Sequence, residues 1–333
     1  MDRVRGMSSE RGAERSGWGV GVWVALLSAC SGTFRAPLPP PAKPRPQAWS
    51  SADLNIATLG HATVLIGFYG TNLLVDPAFF DRIGLSIGPL TIGPKRLVRA
   101  ALGPEELPRL DAVLLSHAHM DHIDLPSLRA VHEAPLLVTA ERTRDVVDGL
   151  GFANIAELRW GERVTVGDVT IEAVEVNHWG RRWPWERWRG YNGYLLSRGG
   201  VTVLFASDTA YSAALARAAR DHHVTVAILG IGAYDPWIWN HVSPEQAWQM
   251  FQQSGARALI PVHWDTFRLG KEPIGEAMSR LLAAAGPSAS RVVIRQIGET
   301  WTLRGGSSAS PRWGEAARSA GEGESAAVTS PSP

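Results

Sequence analysis

The sequence of 333 residues has little of three things: cysteine, net charge and long apolar runs. Its only cysteine, Cys30, excludes disulfide bonds within the chain and any cysteine-rich zinc module. With 33 Lys and Arg residues against 32 Asp and Glu, the formal net charge of +1 gives no overall electrostatic reason to bind nucleic acid. No run of 18 apolar residues follows the first thirty positions, so the body of the chain is not expected to span a bilayer.

Residues 1–29 are typical of a secretory signal peptide. Four arginines precede an apolar stretch, Gly17 to Leu27, which is too short to span a membrane. It ends at Leu27-Ser28-Ala29-Cys30, which resembles the bacterial lipoprotein motif in which the cysteine is lipidated. We therefore expect a lipid-anchored protein of the bacterial cell envelope, with the outer membrane favoured because Ser31 follows Cys30. If the segment is not a signal, we expect a cytoplasmic location instead.

Composition divides the rest of the chain into a tether, a domain and a tail. Residues 30–50 contain six prolines from Pro37 to Pro46, which favours an extended tether. Residues 305–333 are rich in Gly, Ser, Ala and Pro and predict a disordered tail. Residues 51–304 contain neither a repeat nor an internal linker, so one large domain is expected.

Short apolar runs bounded by turn residues predict strands in this domain, and helical patterns lie between the later ones. The predicted strands are residues 55–59, 63–68, 72–75, 112–115, 136–138, 169–175, 201–206, 225–229 and 292–296, and the predicted helices are 125–132, 142–149, 212–220, 244–254 and 274–285. This mixture indicates a layered α+β or α/β domain.

Three of the ten histidines fall in Ser116-His117-Ala118-His119-Met120-Asp121-His122, directly after an apolar strand. A tight turn at a strand end directs alternate side chains to one side, so His117 and His119 can reach one cation while Asp121 and His122 reach a second. Imidazole and carboxylate without thiolate suit zinc first, with iron or manganese as alternatives. The cluster therefore predicts a metal site.

This His-x-His-x-Asp-His motif resembles the metallo-β-lactamase superfamily, and the ligands that this family adds follow in the same order. His178 lies in Val176–Gly180, Asp208 follows Leu204–Ser207, and His263 ends Leu259–His263. Further segments look like the branch that contains N-acylphosphatidylethanolamine-hydrolysing phospholipase D and its bacterial relatives. They are Leu59–Thr63, Leu74–Pro77, Gly93–Arg96, Phe205–Tyr211, His241–Ala247 and Pro261–Phe267.

The resemblance implies a four-layer αββα sandwich with a dinuclear zinc site. By resemblance, the first zinc is held by His117, His119 and His178, the second by Asp121, His122 and His263, and Asp208 bridges both. The resemblance also implies that Asp76 lies behind a ligand histidine and that His241 lies beside the substrate, with a turn cap and a plain surface loop as the alternatives. His61 is equally well explained as part of a packed turn.

Residues 179–191 contain four tryptophans, four arginines and one tyrosine. Such residues favour membrane interfaces and phosphate groups. One interpretation is a loop at the rim of the site, with Trp179, Arg181 and Arg182 contacting substrate or membrane; the other is a strand-edge loop whose tryptophans pack on the domain. Trp237 would form the opposite wall of the pocket or belong to the core.

These features predict a dinuclear zinc hydrolase that needs no serine or cysteine nucleophile. We expect a phosphodiesterase of phospholipase D type that acts on N-acylphosphatidylethanolamine or a related phospholipid. A lactonase or sugar-phosphate hydrolase of the same fold, and a non-catalytic scaffold lipoprotein, are the alternatives. Lactamases with a thiolate ligand are excluded because Cys30 is the only cysteine, and the 54 residues between Asp208 and His263 leave no room for the extra domain of RNA-processing relatives.

Overall fold

The computed structural model, which describes residues 36–88 and 90–305, contains two large β-sheets. The fifteen strands of the described part are β1 (Leu54–Gly60), β2 (Thr63–Phe68), β3 (Thr71–Val75), β4 (Leu85–Ile87), β5 (Leu90–Ile92), β6 (Ala112–Leu114), β7 (Leu137–Ala140), β8 (Ile155–Leu158), β9 (Arg163–Val166), β10 (Val169–Val174), β11 (Gly193–Arg198), β12 (Val201–Phe205), β13 (Val226–Gly230), β14 (Ala258–Val262) and β15 (Thr300–Leu303). The first sheet has the order β15-β1-β2-β3-β6-β7-β8, and the second has the order β14-β13-β12-β11-β10-β9. The predicted signal peptide, Cys30 and residues 306–333 lie outside the described residues.

Helices cover the outer faces of both sheets. They are α1 (Leu125–Ala130), α2 (Arg144–Val147), α3 (Ala213–Asp221), α4 (Tyr234–Trp237), α5 (Pro244–Ser254) and α6 (Glu276–Ala285), with short 3-10 helices at Pro46–Ala48, Pro104–Glu106 and Gly286–Arg291. Three of them begin at a polar side chain that accepts a backbone N–H: α1 at Asp124, α3 at Ser212 and α5 at Ser243.

Three apolar layers hold the fold together. A central cluster fills the space between the sheets, with Ile66 from the first sheet and Phe205 from the second among its fully buried residues. A second cluster packs α3, α5 and α6 on the second sheet, and a third packs α1 on the first. Because both faces of strands such as β1 and β2 are covered, every residue in them is buried. The predicted four-layer αββα sandwich is confirmed.

Strand direction brings several strand ends to one edge of the sandwich. β3 is parallel to β6, and β12, β13 and β14 are parallel to one another. β10 pairs antiparallel with β11, which pairs antiparallel with β12, so β10 and β12 run in the same direction. The carboxyl ends of these strands are followed by the segments that carry the predicted ligands, as expected for a layered α/β site.

The structure corrects the last predicted strand, Val292–Gln296. Within it, only Val292 makes a ladder contact, an isolated parallel bridge with Leu259. The Arg295 guanidinium donates to the Val292 carbonyl at 3.2 Å, and the backbone N–H groups of Arg295 and Gln296 donate to Glu299. These side chains satisfy the backbone groups that a strand would pair, and the terminal strand forms later, at β15.

The proline-rich segment, expected as an extended tether, is held against the domain from Pro37 onward. The Leu38 N–H donates to the Leu97 carbonyl at 2.8 Å, and Ala42 N–H donates to the Ile297 carbonyl at 3.2 Å. Pro44 and Pro46 are buried, and the half-buried Trp49 packs on the third apolar cluster. Residues 37–49 therefore form a strap on the domain surface.

A two-stranded hairpin, β4 and β5, stands apart from both sheets. Its cross-strand pairs Leu85 with Ile92 and Ile87 with Leu90 are between 39% and 59% exposed. At its base, Ile83 packs with Ala78 and Phe267 in a small apolar cluster.

No helix among the described residues is long and apolar enough to cross a membrane.

Candidate metal centre

The first group of predicted ligands meets where the segments after β6, β10 and β12 come together. Its ligand atoms, one each from His117, His119, His178 and Asp208, lie within 4.8 Å of one another. His117 Nε2 lies 2.8 Å from His119 Nδ1, and His178 Nε2 lies 3.3 Å from the same nitrogen. Three imidazole nitrogens directed at one point and a nearby carboxylate form the donor set of a catalytic zinc-type site.

A second group adjoins the first. Asp121 Oδ2 lies 3.6 Å from His122 Nε2 and 3.5 Å from His263 Nε2, and these three residues are the predicted ligands of the second metal. The structure adds His61, whose Nε2 lies 3.0 Å from the same Asp121 oxygen. The four donors lie within 4.8 Å of one another.

Asp208 lies between the two groups, as the resemblance implies. Its Oδ2 is 3.1 Å from His122 Nε2 and 3.3 Å from His263 Nε2 on one side, and 3.9 Å from His117 Nε2 and 3.8 Å from His178 Nε2 on the other. The residue is 3% exposed. One buried carboxylate oxygen within reach of ligands from both groups is the arrangement that a bridging ligand requires.

Hydrogen bonds behind the rings fix their orientation. His122 Nδ1 donates to Asp76 Oδ2 at 2.7 Å, and His178 Nδ1 donates to the Asn240 carbonyl at 3.0 Å. The Ser116 hydroxyl donates to Asp76 Oδ2 at 2.6 Å and lies 2.9 Å from His117 Nδ1, from which it can accept. In each of these bonds the proton is on Nδ1. The other ring nitrogen, Nε2, is then unprotonated, and its lone pair is directed toward the site.

Burial and charge set the protonation states of the cluster. Burial lowers the pKa of His117 and His178 well below its usual value and lowers the pKa of His119 to about 4. Burial alone would raise the pKa of Asp208, but the charges of His263 and His122 hold it well below its usual range.

The pKa of Asp121 is likewise held well below its usual range, mainly by the charge of His122 acting against burial. Burial would lower the pKa of His122, but the charges of Asp208 and Asp121 hold it well above its usual value. The pKa of His263 is also raised, with Asp208 as the main cause acting against burial. Two ionised carboxylates beside neutral imidazoles are the states that bind a cation, which would replace the protons of His122 and His263.

The residues present fit a metal. His263 Nε2 is buried and has no hydrogen-bond partner among the described residues, although two carboxylate oxygens lie within 3.5 Å of it. A buried nitrogen of this kind ordinarily finds a partner. Ionised carboxylate oxygens and imidazole nitrogens without thiolate suit zinc, iron or manganese.

Sharp backbone turns deliver these side chains. Asp76, Ser207 and His263, each just beyond a strand end, have φ values of +43°, +56° and +60°. Residues other than glycine rarely adopt such values, and they persist where the surroundings fix them, often at functional sites. Gly232 beside them is required by space, because a Cβ there would lie 2.1 Å from the His263 carbonyl oxygen.

An open pocket of about 230 Å³ lies over the metal ligands. Its lining includes four residues of the cluster, His119, Asp121, Asp208 and His263, and six others: Trp179, Ala233, Trp237, Asn240, His241 and Leu269. Trp179 and Trp237 both line this pocket. His241 Nδ1 lies 3.9 Å from Asp208 Oδ2, and burial lowers the pKa of His241 to about 4, so its ring is neutral near pH 7.

The two arginines predicted to contact substrate do not line this pocket. The Arg181 guanidinium lies 5.0 Å from the centre of the Trp179 ring, where it makes a cation–π contact. Arg182 donates to the carbonyls of Ala118 and Ile123, at 3.3 Å and 2.9 Å, and so ties its loop to the histidine motif. Arg182 is a support of the ligand loop in this geometry.

Sequence reasoning missed several parts of the site. Ser116, Asn240 and Leu269 carry no ligand chemistry of their own, and only the position of Ser116 inside the histidine motif could have drawn attention to it. His61 was undecided because a single histidine after Gly60 gives no spacing signal. Its place in the second group appears only when β1 and β2 are folded beside β14.

Comparison with known sequences agrees with this geometry. The profile of the beta-lactamase superfamily domain matches residues 71–264. An uncharacterized protein of Mycobacterium tuberculosis is 30% identical over 301 residues, which are 88% of this chain and 80% of that protein. The mitochondrial N-acyl-phosphatidylethanolamine-hydrolyzing phospholipase D of Saccharomyces cerevisiae is 29% identical over 259 residues, 73% of this chain but only 54% of the yeast protein. N-acyl-phosphatidylethanolamine-hydrolyzing phospholipase D 1 of Caenorhabditis elegans is 26% identical, with 76% of each chain covered.

Solved structures share the fold. A metallo hydrolase from the archaeon Ignicoccus hospitalis has a TM-score of 0.57 and 20% identity, covering 75% of this chain and 98% of that one. An isothiocyanate hydrolase from Delia radicum gut bacteria has a TM-score of 0.61 and 19% identity, covering 74% and 98%.

Proposed function

Since the chain belongs to the beta-lactamase superfamily and is a metal-dependent hydrolase of that family, we propose that it is a dinuclear phosphodiesterase of phospholipase D type. The carrying observation is the position of Asp208 Oδ2, within 3.9 Å of ligand nitrogens from both groups and open to the pocket. Zinc is the proposed metal, with iron or manganese as substitutes that the same donors accept. Two such cations lower the pKa of water and neutralise charge on the phosphoryl oxygens.

The chain's own residues would then hold the reactants. Water adds to phosphorus, the bond from phosphorus to the alcohol oxygen breaks, and the alcohol leaves with a proton. Asp208 and Asp121, both ionised, accept hydrogen bonds from water at the pocket floor. His241, neutral near pH 7 and on the pocket wall, is placed to orient the substrate or to donate a hydrogen bond to the leaving oxygen.

The apolar side chains on the walls of the pocket favour a lipid-derived substrate. Trp179, Trp237 and Leu269 give an apolar rim above the ligands. A phosphodiester with an acyl chain needs both parts, a cationic floor for phosphate and an apolar wall for the chain. The curated relatives named for hydrolysis of N-acylphosphatidylethanolamine make this phospholipid the first substrate to test.

We also propose that the protein works at a membrane of the bacterial cell envelope, held by a lipid on Cys30 and by the tryptophan-rich loop, residues 179–191. Trp185 is 67% exposed and Trp188 is 50% exposed, although large aromatic side chains are ordinarily buried in a soluble domain. Arg187 between them is exposed as well. Exposed tryptophans beside arginine suit the headgroup region of a bilayer.

The test compares wild type with Asp208→Ala and Asp208→Asn on three substrates: N-acylphosphatidylethanolamine in mixed micelles, a soluble phosphodiester and a lactone. Wild type is expected to bind two metals and to cleave both phosphodiesters. Both variants are expected to bind less metal and to turn over at least about 100-fold more slowly, because the bridging carboxylate is gone. Metals counted by elemental analysis and thermal melting separate loss of the site from loss of the fold. Lactone cleavage alone would refute the phosphodiesterase, and an active Asp208→Ala would refute the site.

A further inference from the structure

His61 belongs to the second donor group by position, although the motif that predicts the ligands does not include it. Its ring is 4% exposed, and the ring centre lies 4.1 Å from that of His263. Its Nε2 lies 3.0 Å from Asp121 Oδ2, closer than the Nε2 atoms of His122 and His263, at 3.6 Å and 3.5 Å. All three imidazoles therefore direct the same nitrogen at one place.

The backbone is built to hold this ring. His61 has φ +56° and follows Gly60 at φ +113°, so two adjacent residues adopt values that L side chains rarely adopt. His61 N–H donates to Thr266 Oγ1 at 2.6 Å, and the His61 carbonyl accepts from His263 N–H at 2.9 Å. These bonds join the turn between β1 and β2 directly to the segment that carries a predicted ligand. A two-residue hairpin turn of this kind ordinarily has a positive φ at its first loop position, which glycine or asparagine supplies most easily. It requires neither a histidine there nor bonds to the segment that carries His263.

We infer that His61 is a protein ligand of the second metal, an inference that rests on the proposed dinuclear centre. His61, Asp121, His122 and His263 then give three imidazole nitrogens and one carboxylate oxygen, a complete set of four before Asp208 is counted. The first group reaches four only with Asp208, which it shares with the second. A closed set of four ligands is typical of a firmly held metal, and an open position is typical of a catalytic one.

The second group would then supply four donors of its own, whereas the first would depend on Asp208 for its fourth. Both groups border the pocket, the second through Asp121 and His263 and the first through His119. His61 acting only as a hydrogen-bond donor to Asp121 is the competing role, and it predicts no direct bond to metal.

The experiment uses the full chain, stripped of metal and titrated with Co²⁺, with His61→Asn as the variant. Asparagine tolerates a left-handed φ, so the turn can keep its shape. Wild type is expected to bind two Co²⁺ ions. His61→Asn is expected to keep the first and bind the second at least 100-fold more weakly, with altered d–d absorption bands because one nitrogen donor is missing. Added imidazole is expected to restore both the affinity and the bands.

His132→Asn is the matched control, because it makes the same substitution at an exposed histidine that lies outside both donor groups. It is expected to keep two metals and wild-type bands. If circular dichroism shows that His61→Asn is unfolded, a second experiment uses wild type with ¹⁵N-labelled histidine and bound ¹¹³Cd. Six imidazoles coupled to ¹¹³Cd are expected if His61 is a ligand.

Two bound Co²⁺ ions with unchanged bands and affinities in a folded His61→Asn, or five coupled imidazoles in wild type, would overturn the role of His61 and leave the dinuclear centre standing. A wild-type chain that takes up no metal would overturn the proposed centre itself, and this inference with it.

Discussion

At the scale of single residues, Asp76 shows how a side chain without a place in the donor set controls it. Its carboxylate is fully buried and accepts three hydrogen bonds: from Ser116 N–H at 2.8 Å, from the Ser116 hydroxyl at 2.6 Å and from His122 Nδ1 at 2.7 Å. The last bond fixes the tautomer that directs His122 Nε2 at the metal position. The place that the resemblance implies for Asp76, behind a ligand histidine, is the place it takes.

Replacing Asp76 with Asn is expected to lower the affinity for the second metal by about 10- to 100-fold, which is the usual effect of losing a hydrogen-bond partner behind a ligand histidine. The amide keeps the size of the carboxylate but can present N–H to His122 Nδ1, which favours the tautomer with its proton on Nε2. A competition titration with a chromogenic chelator measures the change. Asp168→Asn, at a side chain that is 79% exposed, is the control and should match wild type; equal affinities in all three proteins would refute this role.

At the scale of elements, the tryptophan-rich loop is ordered by charged residues, and its aromatic rings stay partly in solvent. Glu186, 5% exposed, accepts from the N–H groups of Arg182 and Trp183 and from Arg189 Nε at 2.8 Å. Arg189 also pairs with Asp145 through both terminal nitrogens, which ties the loop to α2. The predicted aromatic rim is therefore built on a buried ion pair, and that pair has a pH dependence.

The hydrogen bond from Arg189 holds the pKa of Glu186 below its usual value, against the effect of burial. A lowered folded-state pKa gives stability that is present above the unfolded pKa, about 4.3, and is lost as the pH falls through the folded value. Glu186→Gln should cost about 1–3 kcal/mol at pH 7 and leave a smaller difference from wild type at pH 3. Urea unfolding at both pH values measures this.

Glu175→Gln, at an exposed side chain just before the loop, serves as the control for Glu186→Gln. It is expected to leave the free energy of unfolding within about 0.5 kcal/mol of wild type. A Glu186→Gln variant whose deficit stays the same from pH 7 to pH 3 would show that the ion pair is not the source of the effect.

At the scale of the whole molecule, the exposed apolar side chains bear on the proposed membrane contact. Trp185 and Trp188 project from the loop, and Ile87 and Leu90 project from the β4–β5 hairpin with 58% and 59% exposure. Exposed apolar surfaces rimmed by polar residues mark interaction sites in many soluble proteins.

For the loop, Trp185→Ser combined with Trp188→Ser is expected to reduce binding to anionic phospholipid vesicles by about tenfold, since the buried apolar area of two rings is lost. Cys30→Ser is present in every sample so that a lipid anchor does not mask the effect. Turnover of a soluble phosphodiester should not change. Ile87→Ser with Leu90→Ser, which removes apolar surface from the hairpin, is the matched comparison; unchanged vesicle binding by the tryptophan variant would refute contact through the loop.

The sequence by itself determined the ligand chemistry and most of the sandwich. Consecutive spacing placed His117, His119, Asp121 and His122 in one turn. Apolar runs located α5 and eight of the fifteen described strands, because periodicity and turn residues are local signals. The strands that were not predicted are β4, β5, β8, β9, β11, β14 and β15. All of them except β14 contain exposed or half-buried residues, which weakens the apolar pattern.

Only the tertiary structure decided which distant residues meet. His61 and His263 are 202 positions apart in the sequence. The His263 N–H nevertheless donates to the His61 carbonyl, because β1 and β14 end at the same edge of two packed sheets. The same packing placed Trp237 and Trp179 across one pocket and moved Arg182 beneath the ligand loop. Residue type fixes what a side chain can bind, whereas the direction in which it points depends on strand register and loop conformation, and those depend on the whole fold.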